Sequence, residues 1–385
     1  MKKKSLWLIP VLVLCLVFSL SLTGCGNNNT PAAVGDSDEG RWGEVHRWQL
    51  QSAVPAGDGM ADVLHLLSAE IEKMSGGRLL IEILPADAVV GPFEILNGVD
   101  AGVIEMGQWW THYATGMHPA AGLFNTSAVA GLNTHSFIAW YIHGGGRELY
   151  VYFYQNILGM DVMPFLHALE GPDNLGWFHS PIATVEEFNQ LRYRSPPGLP
   201  GEIYVEMGAS PVSMAGHEII PAAERGVIDG AEWSTPFVDY RLGMHEVFDY
   251  LILGGLHQFI CIGDLLINGD AWRALSPDLQ AIVEMAAMSA MMWTQTHFLT
   301  QDGIHLEKLV SEYGITVLPL PEGYVDAFLA ASEVVFARHA AADPFFARVF
   351  RSQQDFAEIV VPYKSANLET SLLMARFAME NNFGR

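Results

Sequence analysis

An α/β fold built as two sheet-centred domains is the architecture this sequence predicts, and three observations predict it. The chain has 385 residues, too many for one simple core and suited to about two domains. Half of the residues are hydrophobic and only 16% are charged, the balance of a globular protein. Apolar segments of strand length alternate with segments of helical period over 46–107, and the rhythm restarts over 191–233.

The N-terminus is read first as a leader. Lys2, Lys3 and Lys4 precede an apolar run over 6–22, the basic and hydrophobic regions of a signal peptide. The run ends in Leu22-Thr23-Gly24-Cys25, the lipobox pattern of bacterial lipoproteins. Residues 1–25 are therefore expected to be a lipoprotein signal peptide, with Cys25 lipidated. A plain transmembrane anchor is the alternative. The polar, Gly- and Pro-containing stretch 26–44 suits a flexible tether. Cys15 would leave with the leader, so Cys261, between Ile260 and Ile262, is the one unmodified cysteine. It is expected to be a small buried hydrophobe, with no internal disulfide.

After the tether, His46-Arg47-Trp48-Gln49-Leu50-Gln51 alternates like an edge or half-buried strand. A helix follows with Val63, Leu64, Leu67, Ile71 and Met74 on one face, ended by Gly76-Gly77. Strands are expected over 79–84 and 103–107, with a short helix over 93–99 between them. This order implies a largely parallel sheet. The second half gives strands over 191–194, 210–214 and 228–233, with helices over 201–207 and 219–225. From Ser276, a plausible N-cap with Pro277 behind it, a helix runs to about 313. Met285, Met288, Met291 and Met292 on it read as core. Helical segments with Leu368, Leu372 and Leu373 complete the chain and suit packing across domains or subunits.

The formal net charge is −23, which argues against nucleic-acid binding and leaves room for an anion in a locally positive cleft. His217-Glu218 and His245-Glu246 each lack a second histidine four residues on, so the zinc-protease helix is missing. A nucleophile elbow, a Walker loop and a dinucleotide-binding glycine pattern are missing too. Gly144-Gly145-Gly146 reads as a turn or helix end. The positive signal is Gly230-Ala231-Glu232-Trp233. A carboxylate after two small residues and before an indole tends to be buried and then needs a partner: a metal ion, Arg194, or both. Arg225 or Arg241 would also serve, and Trp233 has a plain core reading. Arg194 precedes Ser195-Pro196-Pro197-Gly198, and a guanidinium at a strand end can hold a carboxylate by two parallel hydrogen bonds, or form a structural salt bridge. Ligand sites lie beyond C-terminal strand ends, where Arg194 and Glu232 both fall. Asp173, in Gly171-Pro172-Asp173-Asn174, is on local evidence a turn residue.

Leu191-Arg192-Tyr193-Arg194, the run Arg225 to Trp233, Leu265-Leu266-Ile267-Asn268 with Ala271-Trp272, and Val103-Ile104-Glu105-Met106-Gly107 together resemble a known family. They are similar to the DctP-like solute-binding proteins of TRAP transporters, in the subgroup for 2-oxo acids and lactate. The resemblance spans nearly all of the mature chain, and its Glu-Trp signature is the specific part. It implies a two-lobe, periplasmic-binding-protein-like (class II) fold with hinge strands, a long helix spanning the lobes and extra C-terminal helices. Lobe I would hold 45–168 and about 258–320, lobe II 169–257, and 321–385 would be helices able to dimerise. By the same resemblance Arg194 binds the ligand carboxylate. Glu232 and the Trp233 carbonyl hold a cation. Tyr113 and Trp109, with Trp110 between the same strand end and Tyr113, come from lobe I. Asp173 stands where the family has glutamine, beside Gly176-Trp177-Phe178. Glu232, Asp173 and a monocarboxylate then carry three negative charges, which Ca²⁺ and Arg194 balance better than Na⁺ and Arg194.

The expected function is thus an exported receptor, anchored to the membrane only through its lipid and facing outward. It would bind a pyruvate- or lactate-like acid and deliver it to TRAP permease subunits, without being an enzyme. A lipid-anchored metal-dependent hydrolase or lyase using Glu232 as base, and a ligand-sensing partner of a signalling receptor, are the alternatives.

Overall fold

The computed structural model describes residues 44–125 and 130–381. The expected signal peptide, Cys25 and the tether up to residue 43 lie outside the described residues. Ten strands are described: β1 (His46–Ser52), β2 (Leu79–Leu84), β3 (Met106–Trp109), β4 (Val162–Glu170), β5 (Gly176–Phe178), β6 (Tyr193–Arg194), β7 (Gly230–Ala231), β8 (Tyr250–Ile252), β9 (Cys261–Asn268) and β10 (Thr316–Leu318). They form two five-stranded sheets, ordered β2-β1-β3-β9-β4 and β10-β8-β5-β7-β6.

Both sheets are mixed, which corrects the expectation of a largely parallel one. β1 pairs parallel with β2 and β3, but β9 is antiparallel to β3 and to β4. The reason is connectivity. The chain leaves the first sheet at Glu170 and returns at Cys261, and these two residues are paired in register. A strand that re-enters beside the exit of its neighbour must run the other way. In the second sheet β6 and β7 are parallel, as are β8 and β10, while β5 is antiparallel to β7 and β8.

Local signals place most elements. Asp58 caps the helix Gly59–Ser75 and Gly76, at φ 65°, ends it. Val63, Leu64, Leu67 and Ile71 are buried against the first sheet as expected, but Met74 is exposed. His46–Ser52 lies inside the sheet between β2 and β3 rather than at its edge. The long helix is Pro277–Ser311. Ser276 takes the cap position, but its hydroxyl bonds Asp278 instead of the backbone. This helix packs on β4, on Gly59–Ser75 and on the helix Pro236–Leu242, so it spans both lobes. Of its methionine stripe only Met291 is buried; Met285, Met288 and Met292 face outward, so the core reading fails for three of four.

Three further differences concern strands. The segment 210–214 makes only a single bridge, Val212 to Arg194, and the strands around Arg194 and Glu232 are two residues long. The segment 103–107 becomes a strand starting only at Met106. β10, expected with lobe I in 258–320, pairs with β8 in the second sheet, so the chain crosses between sheets a third time along the long helix. The helix Tyr324–Ala342 packs on Leu199–Glu206, and Pro344–Glu380 packs on the first lobe with its initial turns. Beyond residue 364 nearly every side chain of that helix is exposed, including Leu368, Leu372, Leu373 and Met374. No helix among the described residues is long and apolar enough to cross a membrane.

One glycine bears directly on the site. Gly176 has φ 146°, and a Cβ there would lie 2.7 Å from the Ala231 carbonyl oxygen. Its bare backbone lets β5 close on β7 one residue before Glu232.

Candidate functional site

The site starts from a register. β6 and β7 run parallel with Arg194 opposite Ala231, so their C-terminal ends leave Arg194 and Glu232 side by side. The Glu232 amide donates to the Arg194 carbonyl at 3.3 Å. Arg194 is 3% exposed and Glu232 fully buried, so each needs the other. Arg194 Nη1 donates to Glu232 Oε1 in a very short contact, and to the Glu232 carbonyl at 3.1 Å. Nε and Nη2 both donate to the Met214 carbonyl, at 3.2 and 2.9 Å. The guanidinium also stacks 5.3 Å from the Trp233 ring. Arg225 and Arg241 are not the partners of Glu232; Arg241 pairs with Asp62. The salt-bridge alternative for Arg194 holds in its inter-strand form: the pair with Glu232 is buried between strand ends and is not a surface bridge.

Glu232 keeps one oxygen unspent. Oε2 has no hydrogen-bond partner; His257 Nε2 lies 3.5 Å away without hydrogen-bond geometry. Asp173 is more extreme. It is fully buried, follows the cis Gly171–Pro172 peptide, and neither carboxyl oxygen has a partner. Burial, then Glu170, Glu232 and Asp239, push its carboxyl well above the usual range, while the neighbouring Cys261 thiol lowers it slightly. Asp173 is therefore more than a turn residue. Cys261 is buried, as expected, and its thiol is pushed up by burial beside Asp173, which makes it inert.

The loop after Glu232 is held by Asp239, which accepts from Asn174 and Trp177 at 2.7 Å and from the Ser234 amide at 2.8 Å. Burial raises its carboxyl to about 7. Trp177 and Asn174 thereby tie β5 to the Glu232 segment.

From the first lobe, β3 delivers its C-terminal end to the same place. Trp109 was expected at the ligand; it is instead core, its indole donating to Tyr154 at 3.1 Å. Successive residues of a strand point to opposite faces, so it is Trp110 that faces the cleft. Tyr113 also lines the cleft, edge-on to His112 at 4.8 Å. The cleft leaves only about 30 Å³ of free room, enough for about one or two waters. It brings together Arg194 and Trp233 from one lobe and Trp110, His112 and Tyr113 from the other.

Among the lining residues that escaped sequence reasoning are Asp58, Glu170 and His112. Asp58 looked like a helix cap, which it also is. Glu170 ends β4, accepting from Trp110 Nε1 at 3.3 Å and Ser234 Oγ at 3.2 Å. Burial, then Asp58, raise its carboxyl to about 8. His112 precedes the expected Tyr113 in the same turn, the one signal that could have marked it.

Comparison with known proteins decides the family. The family described as bacterial extracellular solute-binding protein, family 7 (DctP), matches residues 51–343. The chain belongs to it. This receptor is similar to the monocarboxylate 2-oxoacid-binding periplasmic protein of Nostoc sp., with 27% identity over 321 residues, 83% of this chain and 86% of the relative. Two solved TRAP periplasmic solute-binding proteins share its fold. One, from Pseudoalteromonas atlantica with bound sodium and pyruvate, has a TM-score of 0.79 and 27% identity, covering 86% of this chain and 99% of that one. The other, from Colwellia psychrerythraea with bound calcium and pyruvate, has a TM-score of 0.79 and 26% identity at the same coverage. The family consists of solute receptors, not enzymes, so the hydrolase alternative falls.

Proposed function

We propose that this chain is the extracytoplasmic receptor of a TRAP-type secondary transporter and binds a small 2-oxo or 2-hydroxy monocarboxylate at Arg194. The observation that carries this is a buried guanidinium at the wall of a small interlobe cleft, paired with Glu232, whose second carboxylate oxygen has no donor. Four of the five Arg194 N–H groups are engaged, so one Nη2 N–H is free for a ligand. A second parallel bond requires Nη1, which Glu232 now holds. Ligand carboxylate and Glu232 therefore compete for one edge of the guanidinium.

A cation resolves that competition in the chemistry of the donors. Glu232 Oε2, both Asp173 oxygens and the Trp233 carbonyl are hard oxygen donors, and the orphaned carboxylate oxygens fit a metal ion. No group of three or more metal-ligating side chains occurs among the described residues, so carbonyl and ligand oxygens would complete the shell. Bound there, a cation supplies the positive charge that Glu232 loses and a chelating point for the α-oxygen. Ionised Asp173 balances a divalent ion, and protonated Asp173 a monovalent one. The protonation state of Asp173 with the cation in place therefore sets which ion the site prefers. The similar pyruvate receptors hold sodium in one case and calcium in the other.

The test is a thermal-shift screen of pyruvate, lactate and longer 2-oxo acids with Ca²⁺, Na⁺ or chelator. Ligand at a hundred times Kd should add roughly 2.7 kcal/mol of stability. Asp173→Asn should remove any calcium advantage. No shift with any of these acids would overturn the reading.

Lipidation at Cys25 and delivery to permease subunits complete the proposal, supported by the lipobox pattern and by the transport role of the family. The bare end of the helix Pro344–Glu380 suits a second copy of the chain, since its exposed Leu368, Leu372, Leu373 and Met374 form an apolar surface. Light scattering should give a dimer for the whole chain and a monomer after truncation at residue 364. A whole-chain monomer at tens of micromolar would rule the dimer out.

A further inference from the structure

Two of the residues that sequence reasoning missed form a unit of their own in the cleft. Asp58 comes from the cap of Gly59–Ser75 and Glu170 from the end of β4. Each is nine-tenths buried or more. Each is held by an indole from across or beside the cleft: Trp233 Nε1 donates to Asp58 Oδ2 at 3.2 Å, and Trp110 Nε1 to Glu170 Oε1 at 3.3 Å. The two indoles meet edge to face with centroids 6.5 Å apart. Asp58 Oδ1 is used by the Met60 amide at 2.8 Å, and Glu170 Oε2 by Ser234 Oγ at 3.2 Å.

Four accepted bonds leave about half the lone-pair positions of two carboxylates unspent. Among the described residues no cation fills them. Arg241 is the positive group that acts on Asp58, but its own bonds go to Asp62 and to the Gly57 carbonyl. Arg194, the cation lining the same cleft, bonds Glu232 and Met214 instead.

An independent group points to a ligand in the same space. His112 lines the cleft, is 3% exposed, and its Nδ1 has no hydrogen-bond partner. Burial, then Arg194, hold it neutral, with its ring down at about 3. Asn125 hydrogen-bonds the ring, but among the described residues nothing meets Nδ1, which leaves it for a polar ligand atom.

We propose that Asp58 and Glu170 are a second recognition point of the cleft, which receives a hydroxyl or amino group on the ligand's third carbon. This rests on the cleft being the acid-binding site, and it narrows the ligand class. The receptor selects short 2-oxo or 2-hydroxy monocarboxylates that carry a hydrogen-bond donor beyond the α-carbon. A methyl group in that position leaves desolvated acceptors unpaired. A second carboxylate meets ionised Asp58 and, among the described residues, no free cation, which is a repulsive element against dicarboxylic acids. A hydroxyl meets both walls at once, donating to Asp58 and accepting a hydrogen bond from the protonated Glu170 carboxyl.

Titration calorimetry on the full chain at fixed Ca²⁺ or Na⁺ tests this with matched pairs: pyruvate against hydroxypyruvate, and lactate against glycerate. A 2-oxo dicarboxylate serves as the third probe. The hydroxylated member of each pair should bind at least tenfold tighter, and the dicarboxylate should not bind. Glu170→Gln and Asp58→Asn should each shrink the tenfold gap. Should either variant fail to fold, the wild-type ratios still decide. Equal affinities within each pair, or a gap untouched by both variants, would overturn the proposal. Binding of none of these acids would instead overturn the acid-binding reading beneath it.

Discussion

Arg194→Ala should abolish measurable binding of the carboxylate ligand. Removing one partner of a buried ion pair costs about 3–5 kcal/mol, roughly two to three and a half orders of magnitude in affinity. Here the loss falls twice. The ligand loses its fork of donors, and Glu232 loses the Nη1 bonds that now hold its side chain and carbonyl. The variant should therefore also melt lower, and a folding defect must be separated from a binding defect. Arg194→Met combined with Glu232→Gln separates them: replacing both charges should recover much of the melting temperature and none of the binding. Calorimetry showing unchanged affinity for Arg194→Ala would remove Arg194 from the site.

The second large effect is on stability against pH. Asp264 sits on β9 under the turn that carries His112 and Tyr113. Thr111 and Tyr154 donate to its Oδ2, and Oδ1 has no partner. Burial raises its carboxyl from the ordinary 3.8 to about 7. A carboxyl raised on folding adds stability that is fully present below pH 3.8 and is lost as pH rises to about 7. For Asp264 that is on the order of 4 kcal/mol. Asp239, raised to about 7, and Glu170, raised to about 8, act in the same direction, as does Asp58, raised to about 6. His112 and His167, lowered by burial to about 3 and 4, oppose them below pH 6.5. The acids outnumber the histidines, so the ligand-free protein should resist urea better at pH 5.5 than at pH 8. Asp264→Asn should flatten that slope. An identical slope in wild type and variant would show that Asp264 is ionised in the folded protein.

The pair Arg194 and Glu232 was legible because its signals are local: small residues before an acid, an indole after it, and a rigid turn after the arginine. The α/β class was legible from periodicity for the same reason. Sheet direction was not. Whether β9 runs with or against β3 depends on where the chain re-enters from the second lobe, some 90 residues after it left, and no window of sequence holds that information. Trp109 and Trp110 show the limit at single-residue scale. Both suit a ligand site by type, and only the start of β3 at Met106 fixes which indole faces the cleft. Asp58 and Glu170 were hidden for another reason. One resembles any N-cap and the other any strand end, and their partners, Trp233 and Trp110, are 175 and 60 residues away. The methionine stripe misled because helical spacing marks a face without saying what covers it.

The threading of the chain has a consequence for synthesis. The first sheet joins β1 to β3 with β4, but β9 lies between β3 and β4 and arrives only at residues 261–268. A growing chain therefore cannot close its N-terminal lobe when that lobe's own first strands have been made; it must wait for the whole second lobe. The second sheet waits longer still for its edge strand, β10. An export machine that passes only unfolded polypeptide gains from such an order, since stable structure is withheld until about two thirds of the chain has emerged. Late completion of this kind also leaves open sheet edges in the nascent chain, where a holding chaperone would find its binding sites.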